Sequence, residues 1–372
     1  MDILARARAL EVQGRSIIHM EIGEPDFPTP DPIIQAGIAA LQTGKTHYTP
    51  ALGLPALREA IAGFYASRYG VRVSADRIVI TPGSSGALLL AMGVLLDPGD
   101  EVLMADPGYP CNRHFVRFTE GQAVGVPAGP DTNYQLTAEL AERYWSPKTK
   151  AAMVASPANP TGTLLSLDAL RDLHAVVSGR GGALIVDEIY HGLTYGCDAA
   201  TALAVSDDVF VINSFSKYFG MTGWRLGWLV APQAFVPALD RLAQNIFLAA
   251  STPAQHAALA AFQPETLQIL EARREEFRQR RDFLLPALRA IGFDIPVTPE
   301  GAFYLYADCA RFSRDSEDFA RRLLEEAGVA ITPGLDFGHF EPETHVRFAY
   351  TTEMERLREG VGRIARFVSK HI

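Results

Sequence analysis

Six short apolar runs separated by helical stretches constrain this chain more than any other feature. They fall at residues 77–81, 101–105, 151–155, 183–187, 209–212 and 227–231. Each run is almost continuously apolar, which fits strands buried on both faces. Strands that alternate with helices imply a mostly parallel sheet covered on both sides. The last third reads differently. A charged helical stretch at 271–290 leads into a strand at 302–306, a helix at 315–327, a strand at 345–349 and a final helix at 353–368. The first of these, rich in Arg and Glu three or four apart, reads as a solvated connecting helix. The expected fold class is therefore α/β: a large domain with a mostly parallel sheet between helices, over 40–250, plus a smaller α+β domain from 1–39 and 251–372. The Pro-rich segment 23–30 cannot lie inside a helix. It is expected to run extended over the surface and to reach a site.

Charge and composition remove several function classes. With 34 basic and 43 acidic residues the net charge is −9, which opposes non-specific binding to nucleic acid. The longest apolar stretch, residues 86–96, is too short to span a bilayer, and the charged N-terminal residues 1–8 read as a helix start rather than a secretory signal. Three scattered cysteines argue for a reducing compartment without disulfides, and cytoplasmic location is the default expectation. The nine histidines lack metal-ligand spacing, so no metal is expected.

Ligands of open parallel sheets bind beyond the carboxyl ends of the strands. After the first run, Gly83, Ser84, Ser85 and Gly86 open an apolar helix. Free amides and the helix dipole there make a phosphate cradle, although such turns also serve as plain N-caps. Tyr109 follows the second run in a Pro-bounded turn, where it can stack on a planar ring or simply pack. Asn159, held between prolines, follows the third and offers an amide. Asp187 ends the fourth, and a carboxylate at a buried strand end needs a cation or several donors. Tyr190 lies three residues on. The fifth run delivers Ser214, Ser216 and Lys217, with Arg225 behind them. Serine and arginine together favour a phosphate dianion, and a fixed lysine amine suits condensation with an aldehyde. One ligand accounts for all five strand ends: pyridoxal 5′-phosphate, with Lys217 bonded to its aldehyde, Asp187 paired with its ring nitrogen and the Gly/Ser turn, Ser214 and Arg225 on its phosphate.

At this point the chain resembles the class I/II aminotransferases, fold-type I enzymes that depend on pyridoxal phosphate. The resemblance runs in order from Glu21-Ile22-Gly23-Glu24-Pro25-Asp26 to His345-Val346-Arg347-Phe348. It is most specific in Ser214-Phe215-Ser216-Lys217 followed by Gly223-Trp224-Arg225-Leu226-Gly227. It implies that Lys217 carries the cofactor and shuttles the proton, and that Asn159 and Tyr190 bond the ring's phenolic oxygen. It further implies that Tyr109 stacks on the ring and that Ser84, Ser85, Ser214 and Arg225 hold the phosphate. Tyr48 would reach the phosphate of the neighbouring subunit, which makes the active unit a homodimer with shared sites. Arg347 would clamp the substrate carboxylate, and Gly23 would line the substrate space.

The implied reaction moves the amino group of an L-amino acid to a 2-oxo acid in a ping-pong cycle. One departure stands out: some aspartate-preferring bacterial members carry a lysine where this chain has Ser85. A dicarboxylate as preferred donor is thereby put in question. Two rivals share the motifs, since fold and cofactor do not fix the reaction. One is a carbon–sulfur β-lyase. The other is a non-catalytic cofactor-binding regulatory module, for whose usual DNA-binding domain the segment before Glu21 leaves no room.

Overall fold

In the computed structural model, residues 3–370 are described. The six runs become six strands of a seven-stranded sheet. These are β2 (Ile78–Thr81), β3 (Glu101–Asp106), β5 (Thr149–Ala155), β6 (Ala183–Asp187), β7 (Phe210–Ser214) and β8 (Gly227–Val230). The seventh, β4 (Gln122–Pro127), was not read from sequence. It carries the short apolar run Ala123-Val124-Gly125-Val126, but the Gly inside it and Pro127 at its end weaken the strand signal, and it lies largely exposed at the sheet edge. The order is β2-β8-β7-β6-β5-β3-β4, and only β8 runs against its neighbours.

Alternate residues of each strand pack on opposite faces. Ile78, Ile80, Val154, Val186, Val211 and Trp228 join one core cluster, while Val79, Met153, Ile185, Ile212 and Leu229 join the other. Both faces are covered, which is why period-two polarity is missing from these strands. The carboxyl ends of β2, β3, β5, β6 and β7 share one edge, and β8 starts there because Gly227 pairs with both Thr81 and Ser214.

The second group of strands joins the two ends of the chain. β1 (Ile18–His19) pairs in parallel with β10 (Val329–Ala330). An antiparallel sheet has the order β11 (Thr332–Pro333), β12 (His345–Ala349), β9 (Tyr304–Asp308). The N-terminal helix α1 (Ile3–Val12) buries Ile3, Ala7 and Leu10. Met1 and Asp2 of the expected N-terminal helix lie outside the described residues.

The charged helix spans Pro264–Ile291, longer than its charged stretch, and is not merely solvated. Leu270, Phe277, Leu284 and Leu288 line its buried face, and Arg280 is buried against Asp26 with a 2.8 Å ion pair. That pair, with Phe27 edge-on to Phe277, fastens the Pro-rich segment. The helix expected at 315–327 divides into Ser316–Arg322 and a wider π turn, Leu323–Ala327.

Candidate active site

The strand edge and the Pro-rich segment enclose a cavity of about 590 Å3. Its lining includes Gly23, Ser84, Ser85, Tyr109, Asn159, Asp187, Tyr190, Lys217, Arg225 and Arg347. Residues up to 324 positions apart in sequence thus face one space, because the carboxyl edge of the sheet gathers them. Two of the expected residues stand apart from it. Ser214 lies behind the wall, its Oγ 2.9 Å from that of Ser216 and donating to the Leu226 carbonyl at 3.1 Å; Ser216 takes the place on the lining. Tyr48 is 81% exposed and does not line this chain's own cavity.

One pole of the cavity is built for an anion. The helix α4 (Gly83–Leu95) starts with no side-chain cap, so its first-turn amides keep their donors. Arg225 comes beside them. A Cβ on Gly83 would stand 2.7 Å from the Arg225 guanidinium, and Gly83 has a φ of +69°. A Cβ on Gly227 would meet the Ser84 amide nitrogen at 2.7 Å. Glycine at both positions therefore lets the turn, β8 and the arginine approach one another.

In the middle, Lys217 Nζ donates to the Gly23 carbonyl at 2.7 Å. Burial lowers its pKa from 10.5 to about 8; Glu24 and Asp187 oppose the shift, while Arg347 and Arg225 assist it. Near-neutral solution therefore leaves a usable fraction of free amine, the nucleophilic form. Asp187 moves the other way. Burial raises its carboxyl from 3.8 to about 7, and the Ile189 amide, at 3.0 Å from Oδ1, offsets only part of this. A buried carboxylate with so little support is suited to a cationic partner.

The far wall comes from β9 and β12. Arg347 donates to Asn159 Oδ1 at 3.0 Å, to the Glu21 carbonyl at 2.6 Å and to Thr332 Oγ1 at 3.2 Å. Its Nε is buried without a partner. Asn159 spends its oxygen on Arg347, which leaves its NH2 as the free donor. The Tyr190 hydroxyl is 2.8 Å from that of Tyr304, and burial pushes both phenols up. Tyr109, at the start of α5 (Pro110–Phe118), lines the cavity and is also pushed up by burial. Sequence reasoning did not single out Tyr304, Glu21 or Glu24 as site residues and gave the phosphate role to Ser214 rather than Ser216, although Tyr304, Glu21, Glu24 and Ser216 all line the cavity. Ser216 and the two glutamates lie inside motifs already quoted; Tyr304 carries no local signal.

A sheet edge that joins an anion cradle, a buried amine and a buried carboxylate matches a known family. The pattern described as "Aminotransferase class I and II" matches residues 15–364, and the chain belongs to that family. It is 40% identical to the valine–pyruvate aminotransferase of Mycobacterium tuberculosis over 98% of this chain and 94% of that one. It is 38% identical to the (5-formylfuran-3-yl)methyl phosphate transaminase of Methanocaldococcus jannaschii, over 100% of this chain and 96% of that one. Among solved structures, an aminotransferase from Mycobacterium tuberculosis superposes with a TM-score of 0.96 at 38% identity, covering 100% of this chain and 96% of that one. The aspartate aminotransferase of Thermus thermophilus with maleate gives 0.93 at 36% identity, covering 98% and 95%.

The chain is thus an aminotransferase, as its motifs suggested, with the expected α/β fold. These relatives favour neither a β-lyase nor a regulatory module. Among the described residues, no helix is long and apolar enough to cross a membrane.

Proposed function

We propose that the cavity holds pyridoxal 5′-phosphate and that the enzyme passes an amino group from an L-amino acid to a 2-oxo acid in two successive half-reactions, as a homodimer with shared sites. The observation that carries this reading is the opposed pair in one cavity: an amine lowered to about 8 and a carboxyl raised to about 7. Each is unfavourable in an unliganded interior, and each suits one part of that cofactor. The orphaned Arg347 Nε and the uncapped α4 add two more unmet demands.

In this reading the α4 amides, Ser84, Ser85, Ser216 with Ser214 behind it, and Arg225 hold the phosphate. Asp187 offers its carboxylate to the ring nitrogen, and the buried site keeps that ion pair strong. Asn159 and Tyr190 donate to the phenolic oxygen, and Tyr109 packs on the ring face. Once bound, the cofactor supplies an electron sink for the bond broken at the substrate Cα. Lys217 would hold the cofactor through its Nζ and, once that nitrogen is free, would take the proton from the substrate Cα and hold it for return. A base so placed contributes about 10²- to 10⁴-fold. Arg347 turns its free Nε and one terminal nitrogen toward the substrate carboxylate, which means giving up a present partner. Tyr48, exposed on this chain, serves the phosphate of the neighbouring subunit. The names of the relatives span valine, aspartate and a furan phosphate, so the donor is not inherited from them.

Borohydride reduction of the cofactor-loaded protein, followed by peptide mass spectrometry, tests this directly. The cofactor mass is expected on Lys217 and nowhere else; protein that takes up none, or carries it on another lysine, would refute the reading. Initial rates with two varied substrates should give the parallel double-reciprocal lines of a ping-pong cycle.

A further inference from the structure

Past Arg347 the main cavity continues into a recess of about 470 Å3 beneath α1. The two spaces share Leu4, Glu21, Tyr109 and Arg347. The recess is otherwise walled by Ile3, Pro110, Phe337 and Thr332, and its one other acid is Asp336. Arg347 is the single cation among its lining residues. If the proposed function holds, Arg347 is occupied by the substrate's own carboxylate. Among the described lining residues no second cation then remains; the neighbouring Arg113 donates to the Asp336 carbonyl at 2.9 Å, and His19 is held by Glu21 and Glu11.

Glu21 is only 8% exposed, and its two carboxylate oxygens differ. Oε1 lies 2.7 Å from His19 Nδ1, and the other His19 nitrogen is 3.1 Å from Glu11 on α1. Oε2 is buried with no hydrogen-bond partner. One oxygen therefore suffices to hold His19, and the second is left wanting a donor. An unmet buried acceptor is costly unless something else supplies the hydrogen bond. His19 is no such source, because it already spends both nitrogens on carboxylates.

We propose that Glu21 is a specificity-determining residue: its free oxygen accepts a hydrogen bond from the far end of the donor's side chain. The enzyme then favours L-amino acids whose side chains end in an amide N–H, a hydroxyl or an ammonium group, and disfavours those ending in a carboxylate. Leu4 and Phe337 face the aliphatic or aromatic part of such a chain, and Glu21 Oε2, an acceptor with no hydrogen to give, offers a distal carboxylate no partner. This rests on the proposed function, because it needs Arg347 to hold the substrate's α-carboxylate.

Glutamine, methionine and glutamate make a test set of nearly equal length, with a donor, no polar hydrogen and a carboxylate at the end. The loaded wild-type enzyme should use glutamine about tenfold or more better than methionine in kcat/KM, and glutamate worst, as expected for a hydrogen bond to a charged acceptor. Ornithine, of similar reach, tells an ammonium preference from an amide preference, and either supports the proposal.

Glu21→Gln exchanges the free acceptor for an NH2 while it can still accept from His19. The glutamine-to-methionine ratio should fall about tenfold, and the handicap of glutamate should shrink. Because ratios within one protein are compared, loss of folded enzyme does not mimic the result. The wild-type ranking, and calorimetric binding of the corresponding 2-methyl amino acids, stand without the variant. Equal use of the three donors, preference for glutamate, or an unchanged ratio in Glu21→Gln would overturn the role of Glu21 while leaving the cofactor site intact. Failure of every donor would instead sink both readings.

Discussion

The Arg347 guanidinium lies 4.3 Å from the centroid of the Tyr304 ring. The same tyrosine reaches Tyr190 with its hydroxyl. One side chain therefore supports two groups with different tasks, and two substitutions separate them. Tyr304→Phe keeps the ring under the guanidinium and removes only the hydroxyl. It should lower kcat a few-fold and leave KM for the amino acid nearly unchanged. Tyr304→Ala removes the ring as well, and a desolvated cation–π contact is worth up to about 2 kcal/mol. That variant should raise KM about tenfold. Steady-state kinetics on the pair decides; equal KM values would show that the ring does not position Arg347.

Asp187 gives a prediction for the cofactor-free protein. Its folded pKa, about 7, lies above its ordinary 3.8 because burial penalises the charge. A carboxyl whose folded pKa is raised contributes no penalty below pH 3.8 and a growing one as pH climbs to 7, after which the cost is constant. Asp187→Asn abolishes that cost. The cofactor-free variant should melt several degrees above the wild type at pH 8, and the gap should close toward pH 4. With cofactor bound the order reverses, because the variant has no charge to pair with the ring nitrogen. Turnover of the variant should drop by at least about a hundredfold. Thermal melts with and without cofactor across this pH range read both effects.

These contrasts show how much of the molecule its sequence discloses. The other six strands of the large sheet were legible because they are buried on both faces, the edge strand β2 included, which leaves an apolar run whatever the register. β4 was not, because its short run Ala123–Val126 is broken by Gly125 and closed by Pro127, residues that mark a turn as readily as an edge strand. Asp187 and Lys217 could be placed in one cavity because both lie at or just past strand ends that share one sheet edge; a lone lysine there is ordinarily a surface residue, and only the groups at the other strand ends set it apart. Tyr304 was not, since an aromatic residue in an apolar strand looks like core from the sequence, and in β9 it is both core and cavity wall. Ser214 and Ser216 could not be ranked, because which hydroxyl faces the ligand depends on the turn after β7. Arg347 was reached through family likeness alone; its setting depends on Glu21 and Asn159, which are 326 and 188 positions away.

His19 ties α1 to the segment entering the cavity, and the tie depends on charge. The hydrogen bond to Glu21 raises its pKa from 6.5 to about 8, with Glu11 adding to this and burial opposing. A histidine with a raised folded pKa contributes stability that is fully present below 6.5 and is lost as pH rises through 8. His19→Gln cannot titrate. The wild type should therefore melt above the variant at pH 6, and the difference should shrink to near zero by pH 9. Melting curves over that range provide the measurement, and a difference independent of pH would mean that the imidazolium is not what holds the two carboxylates.

Tyr48 allows the shared site to be tested without seeing the dimer. It is 81% exposed and does not line the cavity of its own chain, where Ser84, Ser85 and Arg225 already stand around the anion pole. If its hydroxyl serves a neighbouring subunit, the Tyr48→Ala and Lys217→Ala variants are defective in different chains of the same site. Homodimers of Lys217→Ala should be inactive, and those of Tyr48→Ala should bind cofactor more weakly. Subunits mixed under mild dissociating conditions and allowed to re-associate form hybrids in which one site has Lys217 from one chain and Tyr48 from the other. Random pairing places one intact site in half of the dimers, about a quarter of the wild-type number of sites. At limiting cofactor, activity should therefore rise on mixing from the low value of the separate variants toward roughly a quarter of the wild type. Activity equal to the mean of the two separate variants would place Tyr48 in its own subunit's site or in none.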